Sequence, residues 1–389
     1  MRGVRSELRG VNPHGAAQRV NCQRPADAPR SDVSRMIVRP LARAIRCTLV
    51  LPVLLYGCAS NPRPARPVYW PPPPARPRVV FLKAFNGVGD LVARRWTLGE
   101  ALRGTASGPR VQRPAGLAFR DGHIYICDGG SSTVHDWNLV TGDARRLGGE
   151  GSALLSKPVA VTVDEQGTVF VADTELQRVV AFQNAGTTRT YRPADRPSYR
   201  PVAVAVHGGH LYVADLATHQ IDCYGVESGE LTASIGGVGK DAGRFYFPMG
   251  VATANDGTLY ASDMMNGRVQ SFSASGEFLS TMGQPGDRYG DLGKPCQMTV
   301  ASDGTLFVAD PEFARIHIFD GDGRLLMLLG GADDGSASLP LPVGVAVADS
   351  LPESLAAWPP PDFRADYYLF TASSLGEKRL ALYAIGEPH

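Results

Sequence analysis

Lysine is scarce. It supplies only five of the 39 cationic residues, the rest being arginine, and against 38 acids the formal charge is +1. A chain so nearly neutral has no bulk field to gather polyanions, so broad nucleic-acid binding is excluded as a default. Long apolar runs are missing too. None approaches the roughly 18 residues of a bilayer-spanning helix, which excludes a multi-pass helical membrane protein. Cysteine is sparse, with six in 389 residues and no CxxC pair, so neither a disulfide framework nor a zinc knuckle is encoded. Hydrophobic residues make up 43% and charged residues 20%, a balance that buries a core and excludes wholesale disorder. What is plentiful is turn chemistry: 44 glycines and 30 prolines, thirteen of the prolines before residue 80. The N-terminal fifth is thus compositionally distinct from the rest.

Residues 1–46 carry ten arginines, no lysine and three acids (Glu7, Asp27, Asp32), without apolar periodicity. From Met36 a basic stretch with Arg39, Arg43 and Arg46 leads into an 11-residue apolar run, Cys47 to Gly57, and then Cys58. A positive region followed by a short apolar run is the layout of a secretory signal, too short to span a bilayer. The signal is complete from Met36, so residues 1–35 are expected to be dispensable for export. The end of the run, Leu55-Tyr56-Gly57-Cys58, resembles the lipobox of bacterial lipoproteins, although Tyr56 stands where a small residue is usual. The resemblance implies a mature chain that starts at a lipidated Cys58. Ala59 in place of aspartate implies an outer-membrane address in the cell envelope. Residues 58–78 hold dense proline with arginine and no acid, a composition expected to form a polyproline II spacer.

The remainder repeats. A proline followed by alternating apolar residues recurs at Pro114, Pro158, Pro201, Pro248, Pro295 and Pro342, at spacings of 44, 43, 47, 47 and 47 residues. Each copy continues through a glycine-bearing turn into a second strand, as in Leu211-Tyr-Val-Ala-Asp215 and Leu306-Phe-Val-Ala-Asp310. Third strands follow (Arg268-Val-Gln-Ser-Phe272), then fourth strands (Phe278-Leu-Ser-Thr-Met282). Period-2 alternation bounded by turn residues marks strands, and four strands in about 45 residues mark a propeller blade. The pattern P-x-G-V-A-V, G-x-L-Y-V-A-D, R-V-x-x-F, F-L-x-x-x-G resembles the NHL repeat over residues 79–389. The resemblance implies an all-β, six-bladed propeller preceded by the signal (1–57) and the linker (58–78). The sixth copy ends before a fourth strand, and Val79-Val-Phe-Leu-Lys-Ala-Phe85 is expected to supply it and close the ring.

Five second strands end in aspartate (Asp128, Asp173, Asp215, Asp263, Asp310), and the sixth ends in Ser373. A feature repeated blade after blade serves the blade, because catalysis needs one asymmetric constellation. Arginines five residues after three of these acids (Arg178, Arg268, Arg315) are expected to tie the second strand to the third. Cys127, Cys223 and Cys296 are expected as buried fillers. Asp320-Gly-Asp-Gly323 lacks the later glutamate of a calcium loop and reads as a tight turn, and His207 and His210 as surface turn residues.

Propellers of the NHL-like peptide-amidating lyases hold zinc through histidines just after the inner-strand proline. Here those positions are Ala115, Val159, Val202, Met249, Cys296 and Val343, followed by Gly116, Ala160, Ala203, Gly250, Gln297 and Gly344. With Gln297 the one polar candidate in the channel, no catalytic residue, metal or cofactor is expected. Specificity is expected in the loops between blades, where six segments hold 13 basic and 9 acidic residues. The candidate binding face comprises Arg94, Arg95, Trp96, Tyr199, Arg200, Arg244, Tyr246, Arg288 and Tyr289, with Met264, Met265 and Phe313 in adjoining turns. Arginine, tyrosine, tryptophan and methionine are the types enriched at protein interfaces. The reading is a lipid-anchored envelope module that binds a protein partner and no nucleic acid. The alternatives are a lyase or lactonase-like hydrolase, and a glycan binder stacking sugars on Trp96 and the tyrosines.

Overall fold

The computed structural model describes residues 67–72, 74–92, 110–149, 153–183, 188–331, 339–377 and 379–389. The signal, Cys58 and loop residues 93–109 lie outside them. Six antiparallel sheets stand in sequence order, five of four strands and one of five. The inner strand of each blade starts at or just after its repeat proline: Pro114–Arg120, Pro158–Val163, Pro201–His207, Pro248–Thr253, Met298–Val300 and Pro342–Ala348. Proline suits this place because its missing N–H removes no ladder bond at a strand's first residue.

The sixth sheet joins the two ends of the domain. Its inner strand, Phe363–Ser373 and Leu380–Pro388 come from the C-terminus, and Val79–Phe85 pairs antiparallel with Leu380–Pro388, bringing Val79 opposite Ile385. Closure completes the sixth blade, so that each sheet's remaining edges are short and face the channel or the periphery. One expectation is corrected. The proline-rich segment is not wholly a spacer: Val68–Trp70 adds a fifth strand outside Val79–Phe85, with Trp70 opposite Val79. Two apolar aromatics at the end of the linker explain this, since Trp70 is only 7% exposed and meets Tyr383 edge-on at 5.8 Å.

The core lies between blades. Six buried apolar clusters each draw on two neighbouring blades. Alternation along the second strands makes this possible: Val169 and Val171 of blade two pack toward blade one, Phe170 and Ala172 toward blade three. Both faces are buried, so these strands are continuously apolar while the period of 2 assigns alternate side chains to opposite neighbours. Burying each such valine or phenylalanine contributes roughly 1.5–3 kcal/mol. Inner strands approach so closely that a Cβ on Gly250 would lie 2.1 Å from Cys296 O, and one on Gly344 would lie 2.1 Å from Ala115 O. This accounts for glycine in the P-x-G-V-A pattern. No helix among the described residues is long and apolar enough to cross a membrane.

Candidate binding face and channel mouth

The loops between blades and the turns between second and third strands share one face, and the recurrent aspartates organise it. Each is fully buried and accepts backbone N–H groups from the chain arriving 15 to 17 residues earlier. Asp128 receives Gln112 and Arg113, Asp173 receives Ser156 and Lys157, and Asp310 receives Gly293 and Lys294, at 2.7–3.1 Å. Asp215 takes Arg200, and Asp263 takes Tyr246. The carboxylates are therefore structural, but their main partners are not the expected arginines. Only Arg268 reaches its aspartate, at 2.9 Å. Arg178 donates to Leu154 O, and Arg315 lies over the Phe313 ring. Backbone donors already held by the incoming loop satisfy a buried carboxylate without immobilising a long side chain.

Burial alone would raise the Asp128 carboxyl, but the His135 hydrogen bond and three backbone N–H groups outweigh it and hold it well below the ordinary range. Asp310 is lowered in the same way, against burial, by His317 and the N–H groups of Lys294 and Gly293.

A second polar layer escaped the sequence reading. His135, Asp222, Gln270 and His317 occupy one register position on the third strands of blades one, three, four and five, each opposite the residue two before the recurrent aspartate. All four are at most 1% exposed. His135 Nε2 lies 3.1 Å from Asp128, and Asp222 accepts from Arg196 and Ser234. Gln270 accepts from Gly243 N–H and donates to Arg244 O. Aligned third strands would have exposed the position, because a polar residue interrupts an apolar run at the same place in each.

The expected face residues divide. Arg200, Arg244 and Arg288 are exposed, as are Tyr246 (44%), Met265 (50%) and Tyr289 (74%). Met264 and Phe313 are half-buried. Tyr246 stacks on His219 at 5.6 Å, with Phe247 edge-on to both. Tyr199 is corrected: it is 1% exposed in the cluster between blades two and three, its hydroxyl accepting from Tyr224. Its ring packs between the blades with Phe170, Tyr191 and Tyr224. Arg94, Arg95 and Trp96 lie outside the described residues.

The central channel is lined by inner-strand residues from all six blades, mostly valine, alanine and threonine. Gln297, at the position where three blades have glycine, donates from Nε2 to Val202 O at 3.2 Å. That bond runs from blade five to blade three, so the amide bridges the channel near its loop-face end. Among the described residues no histidine or carboxylate lines the channel, and no three His, Cys, Asp or Glu side chains cluster as metal ligands. Cys127, Cys223 and Cys296 are buried and free. Burial pushes the Cys296 thiol up to about 12, which removes it as a nucleophile. The 320–323 segment is a turn, with Asp320 accepting from Gly323 and Arg324.

The architecture has known counterparts. The chain is a six-bladed β-propeller. A protein of unknown function from Bacteroides thetaiotaomicron is 15% identical, with a TM-score of 0.54 over 79% of this chain and 76% of that one. A gluconolactonase from Xanthomonas campestris is 13% identical, with a TM-score of 0.51 over 82% and 98%. Virginiamycin B lyase from Staphylococcus aureus, 13% identical, scores 0.49 over 70% and 84%. At such identities the likeness is one of fold. No family model matches the chain, and no curated protein matches it.

Proposed function

We propose that this propeller is a protein-binding module of the bacterial envelope, anchored through a lipidated Cys58 and presenting its loop face to a partner. One observation carries the reading. Of the twelve large apolar residues that stand exposed among the described residues, eight lie on this face. Leu154, Val238, Tyr246, Tyr289 and Leu341 come from the loops between blades, and Leu176, Met265 and Leu375 from the turns. Apolar side chains concentrated on one face, with arginines among them, have the composition of an interface core and rim.

A lactonase-type or lyase reading would need an acid, base or metal set in the channel, where the described lining offers Gln297 and threonines. The rigid ring would fix the loops, and the anchor would confine the search for a partner to the membrane surface. The test is co-purification of the tagged full-length protein from its own membranes, beside a Tyr246→Ser/Met265→Ser/Tyr289→Ser variant. A stoichiometric partner lost from the variant is the expected result. A partner retained by the variant would move the interface elsewhere, and recovery of no partner would overturn the reading.

A further inference from the structure

The residue before each inner-strand proline stands at the channel rim on the loop face: Arg113, Lys157, Arg200, Phe247, Lys294 and Leu341 in blades one to six. Hydrogen bonds establish the equivalence. The residue after the second strand donates its N–H to the rim carbonyl in five blades, from Gly129 to Arg113, Thr174 to Lys157, Leu216 to Arg200, Met264 to Phe247 and Ser374 to Leu341.

Around this rim the chemistry is sorted by side. Blades one to three, which are neighbours, supply three exposed cations. Among the described residues none of the three forms an ion pair, although Glu175 and Asp195 are exposed in the same sector. The carboxylates beneath them, Asp128, Asp173 and Asp215, are buried and saturated by N–H and hydroxyl donors. The fourth cation, Lys294, is neutralised by Glu312 at 2.5 Å. The remaining two positions are apolar, and both are held in left-handed conformations, Phe247 at φ +68 and Leu341 at φ +54. Bulky side chains rarely adopt that region, and such strain persists where the surroundings over-determine it, typically at binding sites. Here the Phe247 N–H leaves the aspartate clip and is accepted by His219 Nδ1 at 3.0 Å.

We propose that this mouth receives an acidic peptide segment of the partner, its carboxylates against Arg113, Lys157 and Arg200 and a bulky apolar side chain against Phe247 and Leu341. The inference rests on the binding-face reading and names the chemistry of what that face takes. Charge complementarity selects the acid: three exposed cations on adjacent blades, without an ion pair among the described residues, face Phe247 and Leu341, which flank the Lys294–Glu312 pair on the other side of the rim. Extent selects a peptide over a small anion, because the cations span three blades and apolar surface continues outward through Tyr246, Met265 and Leu375. The Gln297 bridge crosses the channel below, which favours a segment lying across the mouth over one threading it.

The test is selection of phage-displayed random 12-residue peptides on the full-length protein. Enriched sequences should place Asp or Glu next to a bulky apolar residue. A synthetic copy of the most enriched peptide should bind the Arg113→Glu/Lys157→Glu/Arg200→Glu variant at least about tenfold more weakly. Leu341→Gly, which keeps the left-handed backbone and removes the side chain, should weaken it several-fold, and added salt should weaken the wild-type complex. Enrichment of basic or uncharged peptides, no enrichment, or acidic peptides indifferent to the charge reversal would each overturn the proposal. If selection fails while co-purification yields a partner lost on Tyr246→Ser/Met265→Ser/Tyr289→Ser substitution, the binding face stands and the acidic segment does not.

Discussion

At the scale of single residues, two substitutions separate packing from charge. Gly250→Ala would force a Cβ to within 2.1 Å of Cys296 O, a backbone atom of the next blade that cannot rotate away. It should cost about 1–3 kcal/mol or more, whereas Gly321→Ala, whose only near neighbour is Gly304 O at 3.9 Å, should leave the denaturation midpoint almost unchanged. Asp128→Asn keeps the size and removes the charge that holds Gln112, Arg113 and Gly130 N–H groups. At neutral pH it should destabilise by about 1–3 kcal/mol. The folded carboxyl titrates below its ordinary value of 3.8, so its contribution is present above that value and is lost as pH falls through the lowered folded value. Thermal melts from pH 7 to pH 2 should therefore show the gap between wild type and Asp128→Asn narrowing on the acid side. A gap that widened would reverse the assignment. The aspartates were legible as structural because they repeat. Their true donors were not, since a loop's N–H groups carry no residue-type signature in the sequence.

At the scale of elements, the ring depends on strands from opposite ends of the chain. A chain beginning at Pro114 would lack Val79–Phe85, exposing the edge of Leu380–Pro388 and part of the cluster between blades six and one. Aggregation on size-exclusion chromatography is the expected outcome, and a stable monomer would sink the closure argument. Trp70→Ala tests the added strand: losing a buried ring packed on Tyr383 should cost about 3–5 kcal/mol. The seven-residue closing strand was legible from its apolar alternation. The three-residue strand Val68–Trp70 was hidden because proline on both sides outweighs three residues of β-propensity in any local reading. Its stability comes from the open edge of Val79–Phe85 and from Tyr383, which lies more than 300 residues away in sequence.

At the scale of the whole molecule, the proposed anchor and face would act together. Cys58→Ser should shift the protein from the membrane fraction to the soluble envelope fraction without altering its melting temperature, because the lipid contributes nothing to packing between blades. Retention in the membrane fraction, followed by immunoblotting, would contradict the lipid anchor. Loss of the anchor should also lower partner occupancy without changing the intrinsic affinity of the face, since confinement acts through effective concentration.

Periodicity by itself determined the number of blades, the four repeat strands of each and the closing strand Val79–Phe85, but not the added strand Val68–Trp70. Those features follow from local alternation repeated every 43 to 47 residues, and local patterns survive in a linear reading. Tertiary structure alone decided which loop residues face solvent. Tyr199 and Tyr246 sit in comparable loops just before an inner strand, yet one is 1% exposed and the other 44%. It likewise decided that Gln297 bridges two blades and that Arg113, Lys157 and Arg200 stand in one arc. Positions 44 and 43 residues apart become neighbours only when each blade turns its inner strand to a common axis.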